Sequence, residues 1–304
     1  MYDTLIIGSG PAGLSAGIYA KRAALKAAVI EKNYMGTGQI AESERVDNYP
    51  GLYGENGFDL GEKFRNHATA LGTEFIEGEV AGIFPENKGY RITLSEGGEL
   101  LAKTIVYAAG TVRRKLGIAG EEGLLGKGVS VCAVCDGAFY KGKTAAVIGG
   151  GDTALGDAVY LSKITEKVYL IHRRDTFRAN KVLQEQVRKA ENIELVLNAV
   201  PTEIIGEKRV EALKISKGGE EKILPVNGVF VAVGSVPASS LLEGLVQLSP
   251  EGYIVAGEDC KTSAAGIFAA GDIRTKPLRQ VVTAAADGAN SILSVEEYLA
   301  EQGE

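Results

Sequence analysis

The sequence contains few of the residues from which disulfide frameworks and structural metal sites are built. Among 304 residues there are only three cysteines and two histidines. A structural zinc ion usually takes four Cys or His ligands, and small secreted domains depend on several disulfides. The low count therefore disfavours a zinc site and excludes a secreted disulfide framework. It favours a reducing cytoplasm and at most one disulfide.

Long hydrophobic runs and an excess of positive charge are also missing. No apolar run approaches the roughly 18 residues that a bilayer crossing requires, and the formal net charge is −6. The phosphates of nucleic acids and anionic lipids repel an acidic chain. We therefore expect a soluble, cytoplasmic protein without a nucleic-acid or membrane partner. Its length is enough for two domains.

Glycine, in contrast, is abundant, and part of it lies in two similar segments. The first segment, 3–31, predicts a strand, a tight turn, a helix and a second strand. In its Gly8-Ser-Gly10-Pro-Ala-Gly13 motif, the glycines serve the turn, the approach of a pyrophosphate and close helix packing, in that order. Glu31 ends the second strand, where a carboxylate accepts the ribose hydroxyls of an adenosine and repels a 2′-phosphate. This segment predicts a site for FAD or NAD, and not for NADP.

The second segment, 144–178, repeats the unit but ends differently. It predicts a helix over about 152–162, and the position equivalent to Glu31 is occupied by His172 and the two arginines that follow it. Guanidinium groups bind phosphate in a bidentate manner, so we predict a 2′-phosphate pocket and therefore NADPH; a solvated basic patch is the alternative. The predicted contacts are Gly149, Gly151, Asp152, Thr153, Ala154, His172, Arg173, Arg174 and Arg178.

Cys132 and Cys135 lie between the two glycine motifs, and Asp136 follows them directly. Two cysteines at this spacing can close a disulfide that takes up two electrons when it opens. With a flavin site before it and a nicotinamide site after it, the pair is expected to receive electrons from NADPH through FAD. A structural zinc ion and two inert buried cysteines are the alternatives. Cys260 lies outside every motif and is predicted to be structural.

The C-terminal segment, 266–301, predicts an apolar strand, then Asp272, then a long helix beginning near Arg279 and Gln280. The positive end of such a helix would stabilise the negative charge of a reduced flavin. If this segment serves the same flavin as the first glycine motif, the flavin domain is discontinuous.

The predicted fold class is therefore α/β, with two Rossmann-like dinucleotide-binding domains, one inserted into the other. The FAD domain is expected to comprise residues 1–113 and 245–304. The inserted NADPH domain, residues 114–244, carries the CxxC pair.

Together these motifs resemble the low-molecular-weight thioredoxin reductases over essentially the whole chain. The matching pieces, in order, are GSGPAG at 8–13, DNYPG at 47–51, GVSVCAVCDGAFY at 128–140, GGGDTA at 149–154, HRRDTFR at 172–178, GIFAAGD at 266–272 and RQVVTAAADGA at 279–289. The resemblance implies a homodimer that passes electrons from NADPH through FAD and the disulfide to oxidised thioredoxin or a related dithiol protein. It also implies that the inserted domain rotates about the two short segments that connect it to the FAD domain.

The same resemblance implies roles for individual residues. Cys135 is expected to lie nearest the flavin, and Asp136 is expected to protonate a departing thiolate, although it could instead cap a helix. The implied FAD contacts, beside Gly8 and Gly13 of the turn, are Ser9, Gly10, Ala12, Glu31, Gln39, Asn48, Asp272, Arg279 and Gln280.

Three departures and three other functions stay open. Thr37, Ala109 and Ala286 differ from the commonest pattern of the resembled family. The other functions are a flavoprotein driven by ferredoxin or oxidising small dithiols, a flavin subunit that reduces a peroxidase, and an FAD-binding relative that does not use its CxxC pair. The acceptor protein is not identified by the sequence.

Overall fold

The computed structural model describes residues 1–33, 36–43 and 45–303. The chain divides into two compact units. Unit 1 comprises Met1–Ser43, Tyr49–Val112 and Val236–Glu304, and unit 2 comprises Glu44–Asn48 and Arg113–Ser235. Within the described residues, no helix combines the length and the hydrophobicity that a bilayer crossing requires.

Unit 1 begins with a parallel strand–helix–strand unit. Strand β1 (Tyr2–Ile7) pairs in parallel with β2 (Ala27–Glu31), and helix α1 (Pro11–Arg22) connects them. Leu5 and Ile6 are fully buried in two different hydrophobic clusters. Successive side chains of a strand point to opposite faces, so the C-terminal half of β1 is covered on both faces, as its apolar run Leu5-Ile6-Ile7 predicts.

Further strands of unit 1 extend this parallel pair into a seven-stranded sheet. Its strands follow the order β3-β2-β1-β6-β5-β4, and a later strand, β17, pairs with β6. The elements are a 3₁₀ helix (Gln39–Glu42), α2 (Gly57–Ala70), β3 (Glu74–Glu77), β4 (Val80–Glu86), β5 (Gly89–Leu94), β6 (Glu99–Tyr107) and β7 (Thr111–Arg113).

Unit 2 is built on a five-stranded parallel sheet of order β11-β10-β9-β15-β8, with a separate three-stranded antiparallel sheet, β12-β13-β14. Its elements are β8 (Val129–Ser130), α3 (Ala133–Asp136), a 3₁₀ helix (Gly137–Tyr140), β9 (Thr144–Ile148), α4 (Asp152–Ser162), β10 (Lys167–His172), α5 (Lys181–Lys189), β11 (Ile193–Leu197), β12 (Ala199–Ile205), β13 (Ala212–Lys217), β14 (Glu220–Pro225) and β15 (Gly228–Val231).

The chain then returns to unit 1 and completes its sheet. The returning elements are β16 (Ser235–Pro237), a 3₁₀ helix (Ser240–Leu242), β17 (Ile267–Ala269) and α6 (Val281–Glu301). Unit 1 resumes at Val236, before the expected residue 245, because Leu242 and Val246 pack into the same hydrophobic cluster as β1. The sheet of unit 1 is mixed, because β4 and β5 pair antiparallel at one edge while its other strands are parallel. Together with the five-stranded parallel sheet of unit 2 and the helices that flank both sheets, it confirms the predicted α/β class.

Candidate functional site

The turn between β1 and α1 has the shape that a dinucleotide phosphate needs. Gly8 has a φ of +101°, and a Cβ on Gly13 would lie 1.8 Å from the Gly8 carbonyl oxygen, so only glycine fits the close approach of α1 to the turn. A Cβ on Gly10 would meet nothing nearer than Gly38 Cα at 3.9 Å. The free amides at the start of α1, where Pro11 begins the helix, therefore face open space suited to phosphate.

Glu31 is held at the rim of this turn by backbone and hydroxyl donors. Its Oε2 accepts from Ser9 N (3.0 Å) and Oγ (2.8 Å), and its Oε1 accepts from Asn33 N (3.1 Å). Ser9 Oγ also lies 2.5 Å from the Gly36 carbonyl oxygen, which accepts from Arg65 as well (3.4 Å). These three bonds leave one lone pair, on Oε1, open to a ribose hydroxyl.

Asp272 lies where β17 gives way to the loop that leads to α6, and it carries a buried orphan acceptor. A Cβ on the preceding Gly271 would lie 2.9 Å from the Cβ of Ala12, so this loop runs against the start of α1. Among the described residues, Asp272 Oδ1 is buried without a hydrogen-bond partner, and burial raises the pKa of this carboxyl. Buried acceptors normally have partners, so the site fits a ligand that brings hydroxyl donors, as the ribityl chain of FAD does.

A buried charge cluster, which we did not predict from the sequence, fixes the same loop. Asp287 of α6 accepts from Gly271 N (2.8 Å), from Arg274 Nε (2.8 Å) and Nη2 (2.7 Å), and from Lys276 Nζ (2.8 Å). Burial alone would raise the pKa of Asp287, but the hydrogen bonds from Arg274 and Lys276 outweigh it and hold the pKa below its usual value. These four residues form what we call the Asp287 cluster.

Two further predicted flavin residues lie on this loop and at the start of α6. Arg279 donates to the carbonyl oxygens of Asp272 and Arg274 (3.3 Å each), and its guanidinium carbon lies 4.0 Å from the centroid of the Tyr253 ring. Gln280 caps α6 in a reciprocal capping box, in which its N–H donates to the hydroxyl of Thr283 (3.1 Å). The structure thus brings Arg279 and Gln280 together with Asp272.

Gln39 and Asn48, the other predicted flavin contacts, are both exposed. The amide of Gln39 donates to the carbonyl oxygen of Thr111. A Cβ on Gly38 would lie 2.8 Å from Gly10 Cα, so Gln39 stands beside the phosphate turn. Asn48 belongs to the short segment assigned to unit 2.

The second glycine turn, in unit 2, has the same construction. A Cβ on Gly149 would lie 2.6 Å from the Cβ of Ala154, whereas a Cβ on Gly151 would meet nothing within 4 Å. The approach to the start of α4 is therefore open at Gly151. Asp152 Oδ1 accepts from the backbone N–H (2.8 Å) and side-chain amide (3.1 Å) of Asn180, which ties α4 to the start of α5, and Thr153 is exposed.

The segment that follows β10 combines a buried histidine with exposed arginines. His172 is 7% exposed, whereas Arg173, Arg174 and Arg178 are exposed. In the described part of the chain, none of the three guanidinium groups has a hydrogen bond or ion pair, although the chain as a whole is acidic. Burial lowers the pKa of His172, and the three arginines lower it further, against the opposing hydrogen bond to Thr176. Three unpaired cations on one short segment suit a dianionic phosphate.

Cys132 and Cys135 form a disulfide, with their Cα atoms 5.3 Å apart. Cys132 caps α3 and accepts from Cys135 N at its Sγ (3.2 Å), and both residues are partly accessible. Ser130, which we did not predict, donates from Oγ to Asp136 Oδ2 (2.6 Å) and accepts from Cys132 N (3.1 Å). Asp136 makes no side-chain capping bond to the 3₁₀ helix that follows it. The carboxyl group is instead held beside the disulfide.

Cys260 lies beside the Asp287 cluster, where its Sγ donates to the carbonyl oxygen of Asp287 (3.4 Å). It is buried as a free thiol, and burial raises its pKa to about 12. A thiol so rarely ionised is a poor nucleophile, as expected of a structural cysteine.

Comparisons with known proteins agree along the whole chain. The family described as pyridine nucleotide-disulphide oxidoreductase matches residues 2–288. A thioredoxin reductase of Listeria innocua is 41% identical over 304 residues, which is 99% of this chain and 95% of the relative. That of Bacillus subtilis is also 41% identical and is covered to 96%. A crystal structure of thioredoxin reductase from Streptococcus pyogenes matches with a TM-score of 0.94 and 38% identity, covering 99% of both chains.

Proposed function

We propose the acceptor of a chain that belongs to the pyridine nucleotide-disulphide oxidoreductase family and is a low-molecular-weight thioredoxin reductase. That acceptor is thioredoxin or a related dithiol protein. The enzyme takes two electrons from NADPH and delivers them, through FAD and the Cys132–Cys135 disulfide, to a disulfide of the acceptor. The observation that carries the proposal is the partly accessible disulfide with the Asp136 carboxyl group fixed beside it by Ser130.

The disulfide between Cys132 and Cys135 opens and re-forms once in each turnover. Bound FAD supplies a two-electron relay from NADPH. Opening the Cys132–Cys135 bond takes up two electrons and one proton, and leaves one thiol and one thiolate. The thiolate of one cysteine attacks the acceptor disulfide, which forms a mixed disulfide and frees one acceptor thiolate. The other cysteine then gives up its proton, re-forms the internal bond and expels the second acceptor thiolate. The acceptor becomes a dithiol with that proton and a second one from Asp136. Asp136 donates a proton to the departing thiolate and recovers one when the pair is reduced again.

The two glycine turns divide the cofactors between the units. In unit 1, Gly10, Ser9 and Glu31 hold the adenosine half of FAD, and Asp272 with Arg279 holds the ribityl and ring end. The orphan acceptor of Asp272 and the open space at Gly10 support this assignment.

In unit 2, the amides at the start of α4 bind the pyrophosphate of NADPH, with Gly151 leaving room for it. Arg173, Arg174 and Arg178 bind the 2′-phosphate. Their exposure, together with the lack of described partners, supports this assignment. Since Glu31 repels the same phosphate in unit 1, the two turns select different nucleotides.

A homodimer and a cytoplasmic location complete the proposal. The homodimer rests on the family resemblance. The cytoplasmic location rests on a cysteine content suited to a reducing compartment. Sedimentation equilibrium of the purified FAD-loaded protein measures the first, and a single species at the mass of one chain would contradict it.

The decisive experiment is NADPH-dependent reduction of a panel of disulfide proteins, with kcat/KM compared across thioredoxins, glutaredoxin-like proteins and small disulfides. We expect thioredoxin to give the highest value. A parallel anaerobic titration compares NADPH with reduced ferredoxin as donors to the bound flavin. Reduction by ferredoxin alone would replace the proposal with the ferredoxin-driven alternative.

A further inference from the structure

The ring of His172 rests directly on the backbone of the second glycine turn. A Cβ built on Gly150 would lie 2.1 Å from Cε1, 2.3 Å from Nδ1 and 2.6 Å from Nε2 of that ring. Distances below 3.0 Å do not occur for real Cβ atoms. Gly150 therefore has to be glycine because of the histidine and not because of its backbone angle, since its φ lies outside the left-handed range.

The same ring makes two further contacts. Phe177 stacks on it with 5.4 Å between ring centroids and 27° between planes. Nε2 lies 3.1 Å from the carbonyl oxygen of Thr176. A carbonyl oxygen can only accept, so Nε2 carries the proton. The ring therefore contacts Gly150 of the glycine turn as well as residues 176 and 177 of the arginine segment.

A backbone bond strengthens this link. The N–H of Arg178 donates to the Gly150 carbonyl oxygen at 2.8 Å. The segment from Arg173 to Arg178 is thus anchored to the glycine turn at both the histidine and its last arginine. His172 is 7% exposed, and its ring is packed against Gly150 and Phe177 with Nε2 bonded to Thr176, whereas the arginines are exposed.

We propose that His172 is a positioning residue for the 2′-phosphate site, and that its ring sets the separation between the pyrophosphate turn at Gly150 and the arginines at 173, 174 and 178. This inference rests on the proposed binding of NADPH and adds to it that the histidine does not contact the phosphate. Selectivity for NADPH over NADH then depends on a packing contact as well as on the charges.

The test compares NADPH with NADH in the FAD-loaded enzyme, using Gly150→Ala, His172→Ala and the double variant. Misplacing one charge-assisted contact costs about 1.5–3 kcal/mol, which is roughly 10- to 100-fold in affinity. We expect each single variant to lower the ratio of kcat/KM for NADPH over NADH by at least about tenfold, through KM for NADPH. Because both act through the same ring, the double variant should lose no more than His172→Ala alone.

Gly151→Ala supplies the matched contrast. Its Cβ meets no protein atom, so it intrudes only on the pyrophosphate and should weaken NADPH and NADH alike. His172→Phe keeps the ring volume and the stack on Phe177, and it provides a second folded variant with an intermediate ratio. Calorimetric binding of adenosine 2′-phosphate against adenosine 5′-phosphate measures the same loss without catalysis.

The outcomes separate the inference from the proposed function. Additive losses in the double variant, or an unchanged ratio in Gly150→Ala, would overturn the positioning role and favour direct contact of His172 with phosphate. A wild-type enzyme that does not distinguish NADPH from NADH would overturn the proposed 2′-phosphate site itself, and the positioning role with it.

Discussion

Replacing Asp287 with Ala removes the single carboxylate of the Asp287 cluster, and this carboxylate is buried. The side chains of Arg274 and Asp287 are each 2% exposed, and that of Lys276 is 3% exposed. The variant leaves two buried cations facing each other and leaves the N–H of Gly271 without its acceptor. Asp287→Ala is therefore expected to be one of the most destabilising single changes in unit 1.

The expected loss of stability follows from the charged contacts that remain after the substitution. Breaking a buried ion pair by removing one partner costs about 3–5 kcal/mol. Arg274 keeps a second bond, to Glu258 at 3.0 Å, but the side chain of Glu258 is 82% exposed. An exposed pair contributes at most about 1 kcal/mol. We therefore expect a loss of about 4–5 kcal/mol, a large share of the 5–15 kcal/mol that is typical of whole domains.

The charge of Asp287 also makes its contribution to the free energy of unfolding depend on pH. Its pKa is lowered in the folded state, so its contribution is complete above the unfolded value of about 4. It is lost as the pH falls through the folded value, which lies lower still. The difference between wild type and Asp287→Asn should accordingly be constant from about pH 5 upward and shrink below about pH 4.

The assay is urea unfolding of the FAD-loaded protein, followed by the rise of flavin fluorescence on release. Glu258→Gln is the matched control, because it removes the exposed partner of the same arginine and should cost less than about 1 kcal/mol. A triple replacement of Arg274, Lys276 and Asp287 by apolar residues should cost less than Asp287→Ala, since no charge is left unpaired. If Asp287→Ala costs no more than Glu258→Gln, the assigned role of the cluster is wrong.

Three further predictions concern the chemistry. Arg173→Ala with Arg174→Ala should raise KM for NADPH at least about tenfold and leave NADH nearly unchanged, and equal losses would refute the phosphate assignment. Cys132→Ser and Cys135→Ser should abolish thioredoxin reduction while NADPH still bleaches the flavin. Only Cys132→Ser should show a charge-transfer absorbance band, and a band confined to Cys135→Ser would reverse the order of the sulfurs. Asp136→Asn should slow transfer to the acceptor about tenfold or more with normal flavin reduction, whereas wild-type turnover across pH 6–9 would exclude an acid role.

Features that depend on local sequence were predicted well. Helix α4 covers Asp152–Ser162, as the spacing of its glycines and apolar residues predicts. Helix α6 begins at Val281, next to the expected start. The predictions of the family, of the two cofactors and of the redox pair are confirmed. Each was based on a short motif, whose residues lie a few positions apart and whose backbone geometry is tightly constrained.

Contacts between distant segments were not predicted, because no local pattern encodes them. Asp287 meets Gly271 and Arg274 only because α6 folds back over the loop after β17. Ser130 lies only six residues before Asp136, but no motif includes this serine, and the bond depends on β8 ending beside α3. His172 was predicted as a nucleotide contact from its place in the motif, and that contact stays a prediction; the packing of its ring against Phe177 and Gly150 could not be read from the motif.

Thr37 illustrates the same limit at a departure from the family pattern. A threonine in place of glycine near the phosphate turn suggests altered flavin geometry when the sequence is read alone. In the structure, Thr37 is buried against α2, where a Cβ on Gly61 would lie 2.4 Å from its hydroxyl oxygen. The side chain added at position 37 is thus accommodated by the absence of one at position 61. The pair is complementary only after α2 packs on the loop, so the effect of Thr37 on the site depends on a residue that no motif includes.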